Sequence, residues 1–149
     1  MNIKPILLSK DDQTQVLNAL GVSVTVLASK KTTQAGEVTL QQGAEGAGPP
    51  PHKHDWDESF YILSGSVDIQ CEDVKRRCEA GTFVHVPAGT VHGFRFGEAG
   101  GSMLEFTSRG SCAVDLFTDL DQSFTDGPPD LEQAVRVLKN NGVEVVFDY

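Results

Sequence analysis

Short apolar runs with alternating polar positions occupy the first two thirds of the chain. The segment 22–28 (Val-Ser-Val-Thr-Val-Leu-Ala) alternates in this way and is rich in β-branched residues, which is typical of a half-buried strand. Further strands are predicted at short intervals over Glu37–Gln42, Ser59–Leu63, Ser66–Cys71, Lys75–Glu79, Thr82–Val86, Val91–Phe96 and Ser102–Thr107. Turns are predicted at the intervening glycines, Gly65, Gly81, Gly89 and Gly100-Gly101. The pattern therefore predicts an all-β sandwich or barrel rather than a parallel sheet with crossover helices.

The hydrophobic period changes from two to that of a helix in the last third of the chain. A first helical face is predicted from Ala113, Leu116, Phe117, Leu120 and Phe124. After a Gly-Pro-Pro break, a second face is predicted from Leu131, Ala134, Val135 and Leu138. Asp130 is the expected N-cap, Asn141-Gly142 the expected end, and Val143–Phe147 a candidate final strand. We expect these helices, over about 112–141, to pack on the β core, with a lid over the barrel mouth as the alternative.

Composition limits the classes of partner. The 149 residues are the size of one ordinary domain, so we expect a single domain over 1–149. A formal net charge of −9 argues against nucleic acid or an anionic membrane as the main partner, because either would require a basic face. No apolar run is long enough to span a bilayer and no signal peptide is recognised at the start, so a cytoplasmic location is predicted.

The cysteines are an odd set without metal-type spacing. Cys71, Cys78 and Cys112 lack any C-x-x-C pairing. Reduced thiols are the expectation for a cytoplasmic protein. A disulfide between Cys71 and Cys78, which are predicted to flank one hairpin, is the alternative.

The segment 46–65 contains the first group of residues with metal chemistry. His52 and His54 are two residues apart, so both imidazoles leave the same face of an extended chain. Glu58 keeps the same parity, and its carboxylate joins them if the chain between stays extended. Burying such groups without partners is expensive. Two imidazoles and a carboxylate converging inside a barrel therefore indicate a site for a divalent metal.

A second stretch, 81–96, brings in a third imidazole. Pro87-Ala88-Gly89 is a tight-turn signal, because proline sets φ and glycine is free to adopt a positive φ. His92 follows this turn on a new strand, with Phe94 and Phe96 on its face. His92 could therefore reach the same cavity.

These two stretches resemble the cupin family. The first cupin motif, G-x5-H-x-H-x3-E-x6-G, is matched at every position by Gly46, His52, His54, Glu58 and Gly65. The second, G-x5-P-x-G-x2-H-x3-N, is matched by Gly81, Pro87, Gly89 and His92. Phe96 stands in place of the final asparagine, and Thr82 in place of a frequent acidic residue; neither is a ligand position. The resemblance implies a single cupin (jelly-roll) barrel, here with one or two C-terminal helices packed on it.

The resemblance also implies a metal site and a set of activities. It assigns His52, His54, Glu58 and His92 as ligands of one divalent transition metal, either Fe, Mn, Ni, Co, Cu or Zn, whose identity stays open. The flanking residues look like those of small single-domain cupins described as similar to quercetin dioxygenases. This implies a metal-dependent dioxygenase acting on a small chelating aromatic or enolic substrate, with Glu58 also accepting a proton. It also implies a homodimer.

Two other functional classes stay open at this stage, because one barrel hosts many chemistries. The first is a non-oxidative isomerase, decarboxylase or lyase that uses the same metal site. The second is a small-ligand-binding cupin without turnover.

Several side chains near the motifs have two interpretations. For His85 a packed or surface position is expected rather than a catalytic one, and for Arg95, which points away from His92 by parity, a surface position is expected. Asp55, Trp56 and Asp57 are expected to form a solvated loop with one aromatic ring packed on the rim; contact with substrate is the alternative. Pocket wall and plain core stay equally open for Phe60, Ile62, Phe94, Phe96 and Met103.

Overall fold

The barrel is built from one curled antiparallel sheet. The computed structural model describes residues 2–148. The strands, in chain order, are β1 Val16–Ala19, β2 Val22–Ala28, β3 Glu37–Gly43, β4 His52–Lys53, β5 Glu58–Cys71, β6 Val74–Glu79, β7 Phe83–Val86, β8 His92–Thr107 and β9 Glu144–Val145. One path of neighbours runs β1-β2-β3-β8-β4-β9, and β5 pairs with β6, β7 and β8. The prediction of an all-β jelly-roll barrel with C-terminal helices is confirmed.

Two long strands, β5 and β8, run the length of the barrel and pair with each other. Their register extends from Glu58 opposite Thr107 to Cys71 opposite His92. This pairing places the start of β5 against the end of β8. It also accounts for the alternation of buried and exposed residues along both strands, because successive side chains point to opposite faces.

Turns predicted at Gly65 and at Gly100-Gly101 are wrong, because both positions lie inside these long strands. Gly65 and Gly100 have φ values of +65° and +70°, and the β5–β8 register shifts between Gly65 and Val67. A Cβ atom on Gly65 would lie 2.0 Å from the carbonyl oxygen of Gly100. These glycines therefore form a bulge at which two strands cross closely, rather than a reversal of the chain. The turns predicted at Gly81 and Gly89 are present.

Some short elements have no counterpart in the predicted pattern. Strand β1 and the two-residue strand β4 were not predicted, and a short helix, α1, spans Lys30–Thr33. A single 3-10 turn spans Lys10–Asp12. Strand β9 falls within the predicted final strand and pairs with β4. Elements of two to four residues are too short to show a hydrophobic period, and β4 in addition depends on pairing with the distant strands β8 and β9.

Two C-terminal helices cover one side of the barrel. Helix α2 spans Ala113–Ser123 and helix α3 spans Leu131–Asn140. The Asp130 side chain accepts a hydrogen bond from the backbone N–H of Glu132, which confirms the predicted N-cap. The buried side chains of α2 include Leu116 and Leu120, and α3 buries Leu138. No helix within residues 2–148 has the length and apolarity needed to cross a membrane.

Candidate metal centre

The four candidate ligands lie together inside the barrel. His52 is in β4, His54 follows it, Glu58 begins β5 and His92 begins β8. The register places His52 directly opposite His92. One nitrogen or oxygen atom from each of the four side chains lies within 4.8 Å of the others. All four side chains are buried, so the fold collects them at one point out of bulk water.

Backbone carbonyls determine which ring nitrogen of each histidine faces the cluster. The Nδ1 atom of His52 lies 2.8 Å from the Pro50 oxygen, that of His54 lies 3.0 Å from the Trp56 oxygen, and that of His92 lies 2.9 Å from the Thr90 oxygen. A carbonyl oxygen only accepts, so each Nδ1 carries the hydrogen. The neutral rings therefore present bare Nε2 atoms, which is the tautomer that binds metals.

The Glu58 carboxylate faces these bare nitrogens. Its Oε2 atom lies 2.8 Å from Nε2 of His92 and 3.2 Å from Nε2 of His54. A carboxylate and an unprotonated ring nitrogen are both acceptors, so a cation, either a proton or a metal ion, must lie between them. The donor set therefore fits a divalent transition metal.

When a proton rather than a metal ion is that cation, it lies on Nε2 of His54 or His92 and is donated to Glu58. Burial raises the pKa of Glu58, but hydrogen bonds from His54 and His92 outweigh it and hold that pKa well below its ordinary value. Burial lowers the pKa of His92, but the hydrogen bond and the charge of Glu58 outweigh it and raise that pKa. Burial, helped by the nearby His92, lowers the pKa of His52 to about 4. The His52 ring is therefore neutral near pH 7, as a metal ligand must be.

A second buried carboxyl group, Glu105, lies beside the first. Its Oε2 atom accepts a hydrogen bond of 2.7 Å from Gln41 Nε2, and its Oε1 atom accepts one of 3.3 Å from Thr39 Oγ1. Burial, and then the charge of the neighbouring Glu58, raise the pKa of Glu105 well above its ordinary value. Sequence reasoning missed this group. The sequence did carry a signal for it, because polar residues recur at every second position in parts of β3 and β8.

A narrow cavity opens beside the four residues. Its volume is about 80 Å³, and its polar wall includes His52, His54, Glu58, Gln41 and Glu105. The apolar wall comes from the barrel, from α2 and α3 and from the segment after α3, through Val22, Val24, Phe94, Leu116, Phe117, Leu120, Leu138 and Val143. The helical faces therefore pack on the barrel, as expected, and the same faces close the cavity.

A family model for the cupin domain matches residues 36–104, the part of the chain that carries both motifs. This match covers 69 of the 149 residues and, together with the fold, supports a small cupin-type protein. Quercetin 2,3-dioxygenase from Bacillus subtilis (strain 168) is 29% identical over 92 residues, which are 61% of this chain and 27% of that enzyme. The chain thus matches only about a quarter of the length of this curated relative.

Solved structures share the cupin fold at low sequence identity. KdgF from Halomonas sp. is 22% identical with a TM-score of 0.62, over 70% of this chain and 95% of that one. The polyketide cyclase RemF from Streptomyces resistomycificus is 20% identical with a TM-score of 0.58, over 69% of this chain and 80% of that one. These likenesses show the fold of the chain.

The loop between His54 and Glu58 places one aromatic ring in the cavity wall. Trp56 is 4% exposed and lines the cavity. Its ring stacks on His54 with centroids 4.2 Å apart and planes 5° apart. Asp55 and Asp57 are exposed as expected, and Asp57 Oδ1 accepts a hydrogen bond from the backbone of Ala88. Trp56 is therefore packed deeper than a ring on a solvated rim.

The structure also places the other side chains for which two interpretations were open. Phe94 lines the cavity. Buried core positions are taken by Phe60, Ile62, Phe96 and Met103. His85 is exposed, with its Nδ1 atom 2.9 Å from Ser59 Oγ. The Arg95 guanidinium is also on the exposed side and donates to backbone oxygens of Pro49 and Phe94.

Register keeps the first two cysteines of the cupin apart. Cys71 lies opposite Val74 and Cys78 lies opposite Val67 in the β5–β6 hairpin. All three cysteines are free thiols in the structure. Burial raises the pKa of the Cys71 and Cys78 thiols, so their reactive thiolate forms are disfavoured.

Proposed function

We propose that this cupin is a metal-dependent dioxygenase that acts on a small chelating substrate, with His52, His54, Glu58 and His92 as the metal ligands. The observation that carries the proposal is the convergence of three imidazoles and one carboxylate, with one nitrogen or oxygen atom of each within 4.8 Å of the others. Each imidazole is held in the ligating tautomer by its own backbone carbonyl. Such outer hydrogen bonds are a common feature of metal-ligating histidines.

The donor set selects a class of metal. Neutral imidazoles with one carboxylate suit Fe, Mn, Co, Ni, Cu or Zn better than Ca or Mg. When bound, such an ion supplies a Lewis-acid centre with open positions and, for the redox-active metals, a route for reaction with oxygen. The partial match to a quercetin 2,3-dioxygenase supports the oxidative version of the chemistry.

The chain's own residues take three roles in this proposal. The histidines hold the metal, and the apolar wall from α2 and α3 excludes water from the bound substrate. Glu58, as the one carboxylate among the four proposed ligands, accepts a proton from a substrate hydroxyl. The proton acceptor and the chelation site are therefore in direct contact.

A non-oxidative isomerase, decarboxylase or lyase is the second candidate. The observation that favours it is the size of the cavity, about 80 Å³, against the roughly 300–1,000 Å³ typical of sites for drug-sized ligands. A three-ring flavonol does not fit into that space. A small acid or enol does, and the exclusion of a flavonol favours the second candidate over a quercetinase-type reaction.

The first test is metal content followed by oxygen uptake. Protein purified without a metal-affinity column is analysed for metal per chain, then reconstituted anaerobically with Fe, Mn, Ni and Zn. Near one equivalent per chain is expected, and each loaded form is assayed for oxygen uptake with small enolic compounds. Stoichiometry that stays near zero after reconstitution would overturn the metal site.

The same assay separates the functional classes. Oxygen consumed in proportion to product supports the dioxygenase. Product formed without oxygen supports the second candidate. Thermal stabilisation by a ligand without any product would favour a binding protein.

A homodimer stays a proposal, which exposed apolar side chains on the outside of the barrel support. Tyr61 and Phe83 are cross-strand neighbours, and both are exposed, as is Phe106. Light scattering at several concentrations measures the oligomeric state. The single-domain organisation and the cytoplasmic location stay predictions.

A further inference from the structure

A second groove lies on the outer face of the barrel, apart from the proposed metal ligands. Its volume is about 440 Å³, within the roughly 300–1,000 Å³ typical of small-molecule sites. The residues that line it include one carboxylate, Asp68, and four cations, Lys75, Arg76, Arg77 and Arg95. The whole chain has 12 lysines and arginines and a formal net charge of −9. A third of its cations therefore converge on one groove of an acidic protein.

Sheet pairing brings these side chains together from three strands. Arg77 of β6, Asp68 of β5 and Arg95 of β8 form one row across the sheet, and all three are exposed. The next residue of β5, Ile69, is buried, so the row projects from the outer face of the barrel. Lys75 lies two residues before Arg77 on β6 and shares that face. The groove is therefore a product of the register of β5 with its two neighbours.

The segment that leads to the first proposed histidine ligand forms the opposite wall. Pro49 and Pro51 line the groove, and they lie over Gly93, where a Cβ atom would be 3.2 Å from the Pro51 nitrogen and 3.4 Å from the Pro49 oxygen. The guanidinium of Arg95 donates to the backbone oxygens of Pro49 and Phe94. These bonds hold the guanidinium against the wall, so it loses less conformational entropy when it contacts a ligand.

The protein does not balance the positive charges of the groove. The Asp68 carboxylate is already paired, because its two oxygens accept hydrogen bonds of 2.9 and 3.2 Å from Nε and Nη2 of Arg77. Lys75, Arg76 and Arg95 take part in none of the ion pairs found in residues 2–148. Partial burial lowers the pKa of Arg95, and no carboxylate of the described chain opposes that shift. Three cations therefore line the groove without a protein anion.

This arrangement favours anions with more than one charged group. Guanidinium groups bind phosphate and carboxylate oxygens through paired N–H donors, and an ammonium group adds a compact charge. Lys75 and Arg76 belong to the edge strand β6, whereas Arg95 lies beside the proline segment, so a ligand that contacts both walls carries separated negative charges. The net charge of −9 repels anions from the surface as a whole. Retention of an anion therefore depends on the groove itself.

We propose that this groove is a binding site for a small organic polyanion, a compound that carries two or more phosphate or carboxylate groups. The inference is independent of the proposed metal chemistry, because none of the four proposed ligands lines the groove. It gives the protein a second ligand site, outside the barrel, for a class of compound that differs from the small substrate proposed for the metal site.

Calorimetric titration with two probes tests the proposal. Pyrophosphate represents phosphate compounds, and tricarballylate, a tricarboxylate without a hydroxyl group, represents carboxylates. Each probe is titrated into wild-type protein at constant ionic strength, with sodium chloride as the blank. Saturable binding of at least one probe is expected, and the tighter probe identifies the group that the groove prefers. Absence of saturable binding for both probes would overturn the proposal.

Single charge variants then locate the bound anion. Arg76→Gln and Arg95→Gln should each weaken binding of the preferred probe about two- to fivefold, the effect of one exposed ionic contact. Asp68→Asn should strengthen binding by a similar factor, because it removes the carboxylate of the groove and frees Arg77; loss of folding would not produce this increase. Arg109→Gln is the matched control, since it removes the same charge from an exposed arginine outside the groove. It should leave the affinity unchanged.

Two results would show that the anion binds elsewhere. If Arg109→Gln weakens binding as much as the groove variants do, the probe responds to net charge and the groove is not a site. The double variant His52→Ala/His54→Ala should bind both probes with wild-type affinity. Loss of binding in that variant would place the anion on the metal, which overturns the groove site and leaves the proposed metal centre intact.

Discussion

Two buried glutamates pair with the same residue of β8, but different kinds of hydrogen-bonding group surround their carboxylates. Glu37 of β3 and Glu58 of β5 are both paired in register with Thr107 of β8, and their exposures are 2% and 6%. The carboxylate of Glu37 accepts hydrogen bonds from the backbone N–H groups of Lys30 and Val114 and from the hydroxyl of Ser111. The carboxylate of Glu58 faces imidazole Nε2 atoms that carry no hydrogen in the neutral rings.

The comparison shows that the partners, and not burial, decide what a buried carboxylate does. Glu37 is surrounded by donors, one of which is the N–H of Val114 in the first turn of α2, where a negative charge is favoured. Glu37 therefore holds the start of α2 against the barrel. Glu58 is surrounded by other acceptors and needs a cation. The same residue type therefore stabilises the fold at Glu37 and, in the proposal, binds the metal at Glu58.

The largest expected effect comes from removing two of the four proposed metal ligands. The double variant His52→Ala/His54→Ala should weaken metal binding by more than about a hundredfold, because loss of outer-shell partners alone costs 10- to 100-fold. The barrel should remain folded. Metal content and circular dichroism measure the two outcomes, and full metal occupancy in this variant would refute the ligand assignment.

Glu37→Gln tests the other half of the comparison. The amide places an NH₂ group against donors, so the variant should lose about 2–4 kcal/mol of unfolding free energy while it retains its metal. Denaturant unfolding and metal analysis provide the measurements. Glu132→Gln is the control, since the Glu132–Arg136 pair is exposed and such pairs contribute about 0–1 kcal/mol. Metal loss in Glu37→Gln would show that the two glutamates are not separate in function.

The third buried glutamate, Glu105, is tested by measuring the unfolding free energy of metal-free wild-type and Glu105→Gln protein over a series of pH values. The pKa of Glu105 is raised in the folded state, so the native protein retains a proton that the unfolded chain releases above the ordinary value of 4.5. Wild-type stability should therefore fall as the pH rises from that value toward the raised pKa. The variant lacks this titration, and its NH₂ group replaces the acid as a donor. Equal slopes for the two proteins would contradict the assignment.

The smallest effect is expected from a change at Thr107, the residue that pairs with both glutamates in the sheet. Thr107→Val removes a buried hydroxyl that has no partner in the described structure, and should raise the unfolding free energy by about 1 kcal/mol. Thr39→Val is the matched control on β3, because its buried hydroxyl donates to Glu105. That variant should be destabilised by about 1 kcal/mol. Thermal unfolding compares the pair, and a loss of stability in Thr107→Val would show that its hydroxyl has a partner.

Much of the barrel and the cluster of candidate ligands could be predicted from local signals. His52, His54 and Glu58 are within seven residues of one another, and the Pro-Ala-Gly turn sets the start of the next strand at His92. The predicted breaks at Gly65 and Gly100 were wrong because local composition does not distinguish a glycine in a bulge from one in a turn. That difference depends on the close approach of the two strands at those residues.

By itself, the sequence determined the all-β class, the two C-terminal helices and the four candidate ligands, because periodicity and short spacings place those side chains on common faces. Tertiary structure alone decided the pairing of Glu105 with Gln41, the fastening of α2 by Glu37 and the burial of the Trp56 N–H, which has no partner among the described residues. The first two contacts join residues 64 to 77 positions apart. An unpaired donor is defined by everything packed around it. Such features exist only once distant strands and helices have excluded water, which no local pattern records.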